Sequence, residues 1–162
     1  MYTLGGKKVL LGISGSIAAY KSPQLVRLLI KKGAEVKVVL TPSAMDFVTP
    51  TTLSTLSKNP VNTSFTEIKD ENDNPEWNNH VELSLWADFI IIAPATSNTI
   101  SSMASARCDN LLLACYLSAK CPVFVAPSMD LDMYKHPGNK ENLNKLKSFG
   151  NIILESEAGS LA

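Results

Sequence analysis

No stretch of about 18 consecutive apolar residues occurs in this sequence, so no segment is built to cross a bilayer as a helix. No secretory leader is expected at the start either. The run Val9-Leu10-Leu11 is too short for one and leads into Gly12-Ile13-Ser14-Gly15, the pattern of a strand and a turn. Charge of one sign is missing too: 15 basic residues face 15 acidic ones, for a net charge of zero. That argues against a nucleic-acid binder and against a basic membrane-surface protein, both of which rely on an excess of Lys and Arg. Two histidines are too few for a His-rich metal site, and no metal is expected. The three cysteines, Cys108, Cys115 and Cys121, form no C-x-x-C pair and are odd in number. They read as free, buried thiols of a reducing compartment, which, with no leader expected, predicts a cytoplasmic protein. Glycine (8) and proline (9) are scattered, which excludes a collagenous or disordered chain.

What is present is an alternation of apolar runs and helical spacing. With 162 residues, 45% of them apolar, the chain has room for the core of one compact domain. Short apolar runs at 8–14, 35–40, near 61–65, 88–93, 122–126 and 151–154 read as strands, those at 8–14 and 88–93 as buried parallel ones. Between them, 17–32, 42–47, 50–56, 80–86, a stretch after Asn98, 109–118 and 137–149 read as helices. Ser16 and Asn79 sit at cap positions, and Gly33 and Gly150 at stops. The polar stretch 66–79 reads as a mobile surface loop. The pattern predicts an α/β fold: a Rossmann-like three-layer domain with a mostly parallel sheet and helices on both faces. Ligands of such sheets bind beyond the carboxyl ends of the strands, which selects the loops 14–16, 41–44, 94–99 and 127–134.

Two of these loops carry chemistry on their residues alone. Gly12-Ile13-Ser14-Gly15-Ser16-Ile17 joins a strand to a helix, and its small side chains let backbone N–H groups approach an anion at the helix start. Ala18 stands where a third glycine of a dinucleotide loop would fall, and no P-loop lysine follows, so the loop reads as a phosphate site but not one for a triphosphate. Pro94-Ala95-Thr96-Ser97-Asn98-Thr99 places three hydroxyls and an amide just past the Ile-rich strand, more than a helix cap uses. His80 opens a helix; a lone histidine is commonly structural, yet it is also the side chain suited to proton transfer near neutral pH. His136 reads as the end of a turn, and Met129 with Met133 as packing.

Several stretches together resemble one family, the homo-oligomeric flavin-containing cysteine decarboxylases. They are Gly15-Ser16-Ile17-Ala18-Ala19-Tyr20-Lys21, Pro94 to Thr99, Pro127-Ser128-Met129-Asp130-Leu131-Asp132-Met133-Tyr134, His80-Val81-Glu82-Leu83 and Cys108-Asp109-Asn110-Leu111-Leu112. The likeness spans the whole chain and is strongest to members acting on 4'-phospho-N-pantothenoylcysteine, at the start of a bifunctional decarboxylase/synthetase. It implies FMN as cofactor, a homotrimer or a dodecamer of four trimers, and an FMN-dependent decarboxylation yielding 4'-phosphopantetheine in coenzyme A biosynthesis. By the same likeness Gly15, Ser16, Ile17 and Thr41 contact FMN, as do Thr96, Ser97, Asn98 and Thr99. His80 stands at the catalytic acid/base, and Met129 and Asp130 at the substrate. Asp130 replaces an asparagine usual in the family. The family's clamp cysteine falls beyond Gly159-Ser160, and none of the three cysteines here takes its place. Residues 155–162 read as a loop-like end, as in a single flavoprotein domain cut before that clamp and any synthetase domain.

Three alternatives share parts of the pattern. A flavin prenyltransferase lacks the Pro127–Tyr134 motif. A peptidyl-cysteine decarboxylase shares most motifs, but the match around Tyr134-Lys135-His136-Pro137 favours the pantothenoyl substrate. A regulatory FMN-binding protein without turnover would have no need of His80.

Overall fold

The computed structural model describes residues 3–67, 72 and 74–155. Its frame is a six-stranded parallel sheet with the order β3-β2-β1-β6-β7-β8. The strands are β1 Lys8–Ile13, β2 Glu35–Leu40, β3 Val61–Asn62, β6 Phe89–Ala95, β7 Val123–Pro127 and β8 Ile152–Ile153; β4 Thr66–Glu67 and β5 Glu76–Trp77 pair separately as an antiparallel ribbon. The helices are α1 Ser22–Lys31, α2 Pro50–Ser57, α3 His80–Trp86, α4 Ser97–Ala104, α5 Leu111–Leu117, α6 Leu131–Lys135 and α7 Pro137–Ser148. Two short 3-10 helices, Ile17–Lys21 and Pro42–Asp46, follow β1 and β2.

Burial follows the pleat. Val9, Leu11 and Ile13 of β1 join Val36, Val38 and Leu40 of β2 in a cluster with Val26 and Leu29 of α1 and Leu53 of α2. Leu10, Val39, Ile90, Ile92 and Val125 face the other way, against α4, α5 and α7. Strands apolar on both faces need cover on both, so the sheet is a buried middle layer, as the alternating pattern predicts. The expected Rossmann-like architecture is the observed one.

The differences have local causes. The helix expected at 17–32 is divided, because Pro23 sits in the first turn of α1 and the preceding residues tighten into 3-10 geometry. The expected loop 66–79 is partly strand: Thr66 pairs with Trp77 and Glu67 with Glu76. Residues 68–71 and 73 of that loop lie outside the described residues. So does most of the loop-like end, from 156 onward. The segment 127–134 is not all loop. Asp130 starts α6 by accepting from the Met133 N–H at 2.9 Å. Helix α4 starts at Ser97 rather than after Asn98, because Thr96 is its cap. Of the thiols expected to be buried, only Cys115 is; Cys108 is exposed, two residues beyond left-handed Ala106 in the turn after α4. Among the described residues no helix is long and apolar enough to cross a membrane.

Candidate functional site

The chain leaves β1 in one direction to lay down β2 and β3, then returns to place β6 on β1's other side. The crevice at this reversal opens beyond the carboxyl ends of β1 and β6, where open α/β sheets bind ligands. Four loops meet there and are stitched by hydrogen bonds. The Thr41 N–H donates to the Ile13 carbonyl at 3.0 Å, and the Ser128 N–H to the Ala95 carbonyl at 2.9 Å. Buried Ser14 locks the crevice itself: its hydroxyl donates to the Pro94 carbonyl at 2.6 Å and accepts from the Thr96 N–H at 3.0 Å. The Ala93–Pro94 peptide is cis.

The result is a cradle of hydroxyls. The Ser16 and Ser128 oxygens lie 3.1 Å apart on different loops, and Ser16 Oγ also accepts from the Ala18 N–H. Thr41 Oγ1 lies 3.3 Å from Ser43 Oγ. Gly15 is wedged against this pair: a Cβ there would collide with Ser43 Oγ and come within 2.9 Å of the Ser43 carbonyl carbon. The Gly15 and Ile17 N–H groups have no hydrogen-bond partner among the described residues. No charged side chain occurs in 12–17, 41–44, 94–99 or 127–129. An anion held here is met by N–H and O–H dipoles, as at other helix-start phosphate sites. The donor set, the Gly15 and Ile17 N–H groups with the Ser16 and Ser128 hydroxyls, fits a phosphate monoester such as that of a flavin mononucleotide. Exposed Ile17, Met45, Phe47, Leu131 and Met133 stand on the elements leading from these loops, apolar surface suited to a planar ring or a second protein surface. A groove of about 930 Å³ between α1 and α2 is not lined by any cradle residue.

The Thr96–Thr99 stretch is shared between structure and site. Thr96 caps α4 and donates to Thr99 Oγ1 at 3.2 Å, and Thr99 is buried. Ser97 turns away to donate to Asn139 Oδ1 at 2.7 Å, leaving Asn98 exposed. Thr41 is 4% exposed, whereas Ile17 is 56% exposed. Met129 packs against the core, while Met133 is exposed. Exposed Asp130 spends one carboxylate oxygen on its cap. An asparagine caps equally well, which explains why either residue suits this position locally. His136 Nδ1 accepts from the Gly138 N–H at 3.0 Å at the start of α7, a structural use.

His80 stands apart. Asn79 Oδ1 accepts from the Val81 and Glu82 N–H groups and so fixes the helix start on which it sits. Ser84 Oγ ties the His80 carbonyl to the Cys115 carbonyl. The ring itself meets Phe65 and Trp77, and none of its recorded contacts reaches the cradle. Ser14, Ser43 and Ser128 lie in loops the sequence selects, but it assigns them no role of their own. Ser128 directly follows a strand, the same signal that marked Thr96; Ser43 and Ser14 needed the packing to be seen.

The profile of one family, described as Flavoprotein, matches residues 2–162. The chain belongs to the Flavoprotein family. Among curated relatives of this flavoprotein, a cysteine/cysteine sulfinic acid decarboxylase from an unknown prokaryotic organism is 55% identical over 115 residues, 71% of this chain and 31% of that protein. The coenzyme A biosynthesis bifunctional protein CoaBC of Vibrio vulnificus is 43% identical over 162 residues, the whole of this chain and 39% of that protein. The chain thus spans about a third to two fifths of the length of these relatives. Among solved structures, the FMN binding protein AtHal3 is 32% identical with a TM-score of 0.79, covering 96% of this chain and 84% of that one. A cysteine mutant of PPC decarboxylase complexed with pantothenoylaminoethenethiol is 30% identical with a TM-score of 0.74, covering 92% and 81%.

Proposed function

We propose that this flavoprotein is an FMN-dependent decarboxylase of 4'-phospho-N-pantothenoylcysteine, acting as a homotrimer or larger homo-oligomer in the cytoplasm as part of coenzyme A biosynthesis. The observation that carries this reading is the uncharged hydroxyl and N–H cradle at the sheet's switch point, with a histidine available on a separate element. FMN, when bound, supplies two-electron oxidation of the substrate's cysteine carbon, which makes loss of the neighbouring carboxylate easy. The protein's part is to hold and orient. Gly15, Ser16, Ile17 and Ser128 hold the phosphate, and Thr41, Thr96 and Asn98 border the flavin's polar edge. Met129 and Asp130 line the substrate side, and His80 exchanges a proton at Nε2. Because the ring contacts of His80 are with Phe65 and Trp77 and none of its hydrogen bonds reaches its own cradle, His80 is placed in this proposal over the cradle of a neighbouring protomer, whose surface also covers exposed Ile17 and Met45. The alignment of this whole chain with 39% of a coenzyme A biosynthesis protein supports the substrate.

A second reading is favoured by the 55% identity to a cysteine/cysteine sulfinic acid decarboxylase: the free amino acid as substrate. Reconstitution with FMN followed by CO2 release from phosphopantothenoylcysteine, cysteine and cysteine sulfinate separates the two. His80→Asn is expected to keep one flavin per chain and to lose turnover by about 10²-fold or more. A protein that takes no FMN, or a variant with undiminished CO2 release, overturns the corresponding assignment.

A further inference from the structure

Trp77 is a large apolar side chain left 58% exposed, and the ring contacts recorded for it are those with Phe65 and His80. A residue kept for core stability would be buried. The Phe65 and Trp77 rings are stacked, 5.8 Å between centroids at 22°. The His80 ring stands edge-on to both, 6.4 Å from Phe65 at 90° and 6.3 Å from Trp77 at 68°. Such offset and edge-to-face pairs are attractive beyond simple burial. His80 Nδ1 is sealed from solvent without a hydrogen-bond partner, while Nε2 is not sealed. The imidazole therefore has no hydrogen bond of its own to orient it. In ordinary sites a carboxylate or a carbonyl on one ring nitrogen aims the other. Here packing must do so.

The platform beneath these rings is firm. Thr66 pairs with Trp77 across the β4–β5 ribbon, and the Asn78 N–H donates to the Phe65 carbonyl at 2.7 Å. Asn62, at the end of β3, donates to Asn78 Oδ1 at 2.8 Å, and Asn78 donates to the Ser64 carbonyl at 2.8 Å. The ribbon is thereby anchored to the edge of the main sheet, and the next residue, Asn79, caps α3 under His80.

We propose that Phe65 and Trp77 are positioning residues for His80: their stacked rings take the place of a hydrogen-bonding partner, fix the imidazole plane and leave Nε2 as its one port for proton exchange. This rests on the role assigned to His80 above. The test uses the FMN-reconstituted protein with Trp77→Leu and Trp77→Phe. Trp77→Leu is expected to lower kcat by about tenfold or more, since misaiming a reacting group is costly, while KM stays within about twofold. Trp77→Phe keeps a ring and is expected to restore most of kcat. The His80 ring nitrogen resonances, read by NMR without any turnover, are expected to shift or broaden in Trp77→Leu and to stay near their original values in Trp77→Phe. Unchanged resonances in Trp77→Leu overturn the proposal, as does equal loss of kcat in both variants. Because the resonances need no substrate, they judge the positioning role even if His80→Asn shows that the histidine is not catalytic. A variant that melts early is replaced by Phe65→Leu, read in the same way.

Discussion

Gly15 has no space for a methyl group. Its missing Cβ lets the loop after β1 close on Ser43, which brings the Gly15 and Ile17 N–H groups to the mouth of the cradle. In Gly15→Ala the new carbon meets the Ser43 side chain and its backbone, so the two loops must separate. Flavin affinity is expected to fall by about tenfold or more, because the donors proposed for the phosphate are displaced. The fold itself survives, since the loop is at the rim. Flavin titration read beside a circular dichroism melt distinguishes these outcomes. Asp130 is legible in a different way. Its short acceptor followed by an acidic first turn reads as a helix start once α6 is known, but the helix is only Leu131–Lys135 and too brief to show a periodicity.

At the scale of elements, the close approach of β1 and α5 depends on Gly12. A Cβ at Gly12 would collide with Leu112 Cδ1 and lie 3.3 Å from Leu112 Cγ, and Leu112 is fully buried. Gly12→Ala is expected to destabilise by about 1–3 kcal/mol through overpacking. Leu112→Ala alone is expected to cost about 2–5 kcal/mol through the cavity it leaves. Combined, the two are expected to cost less than their sum, because the new methyl occupies space the leucine vacated. Urea unfolding of the four proteins of this cycle checks the coupling. The α3 start belongs to the same scale. Asn79 was readable as a cap because an amide precedes an apolar-periodic run, and its helix begins and ends at the expected residues.

For the whole molecule, the three thiols report the layering of the fold. Cys115, buried between α3 and the core, has its thiol pushed up to about 12, first by burial, with the Ser84 hydrogen bond opposing. Burial also raises Cys121 and Tyr116. Exposed Cys108 is expected to react with a disulfide reagent at neutral pH, Cys121 slowly, and Cys115 only on unfolding. The pH dependence follows in sign. A folded state that holds its proton above the unfolded value of 9.0 has its full stability below that pH and loses it as pH rises toward about 12. Urea midpoints are expected to drop between about pH 8 and about pH 10.5, and Cys115→Ala to flatten the drop.

The layers were legible in the order of residues alone. Apolar runs two-sided at β1, β2 and β6, helical spacing between them, and caps at Ser16 and Asn79 leave a parallel sheet covered on both faces as the arrangement that buries them. The turn after β1 was readable too, because Gly15 and Ser16 lie together between one strand and one helix. Whatever depends on two distant segments meeting came from the packed chain. Ser16 meets Ser128 across 112 positions, and Ser14 meets Thr96 across 82. Ser97 is drawn away to Asn139, and Phe65 and Trp77 close on His80 through a ribbon that polar composition had hidden. Local propensity acts over a few residues, whereas a binding site is assembled by the sheet order, and that order is fixed by packing of the whole chain.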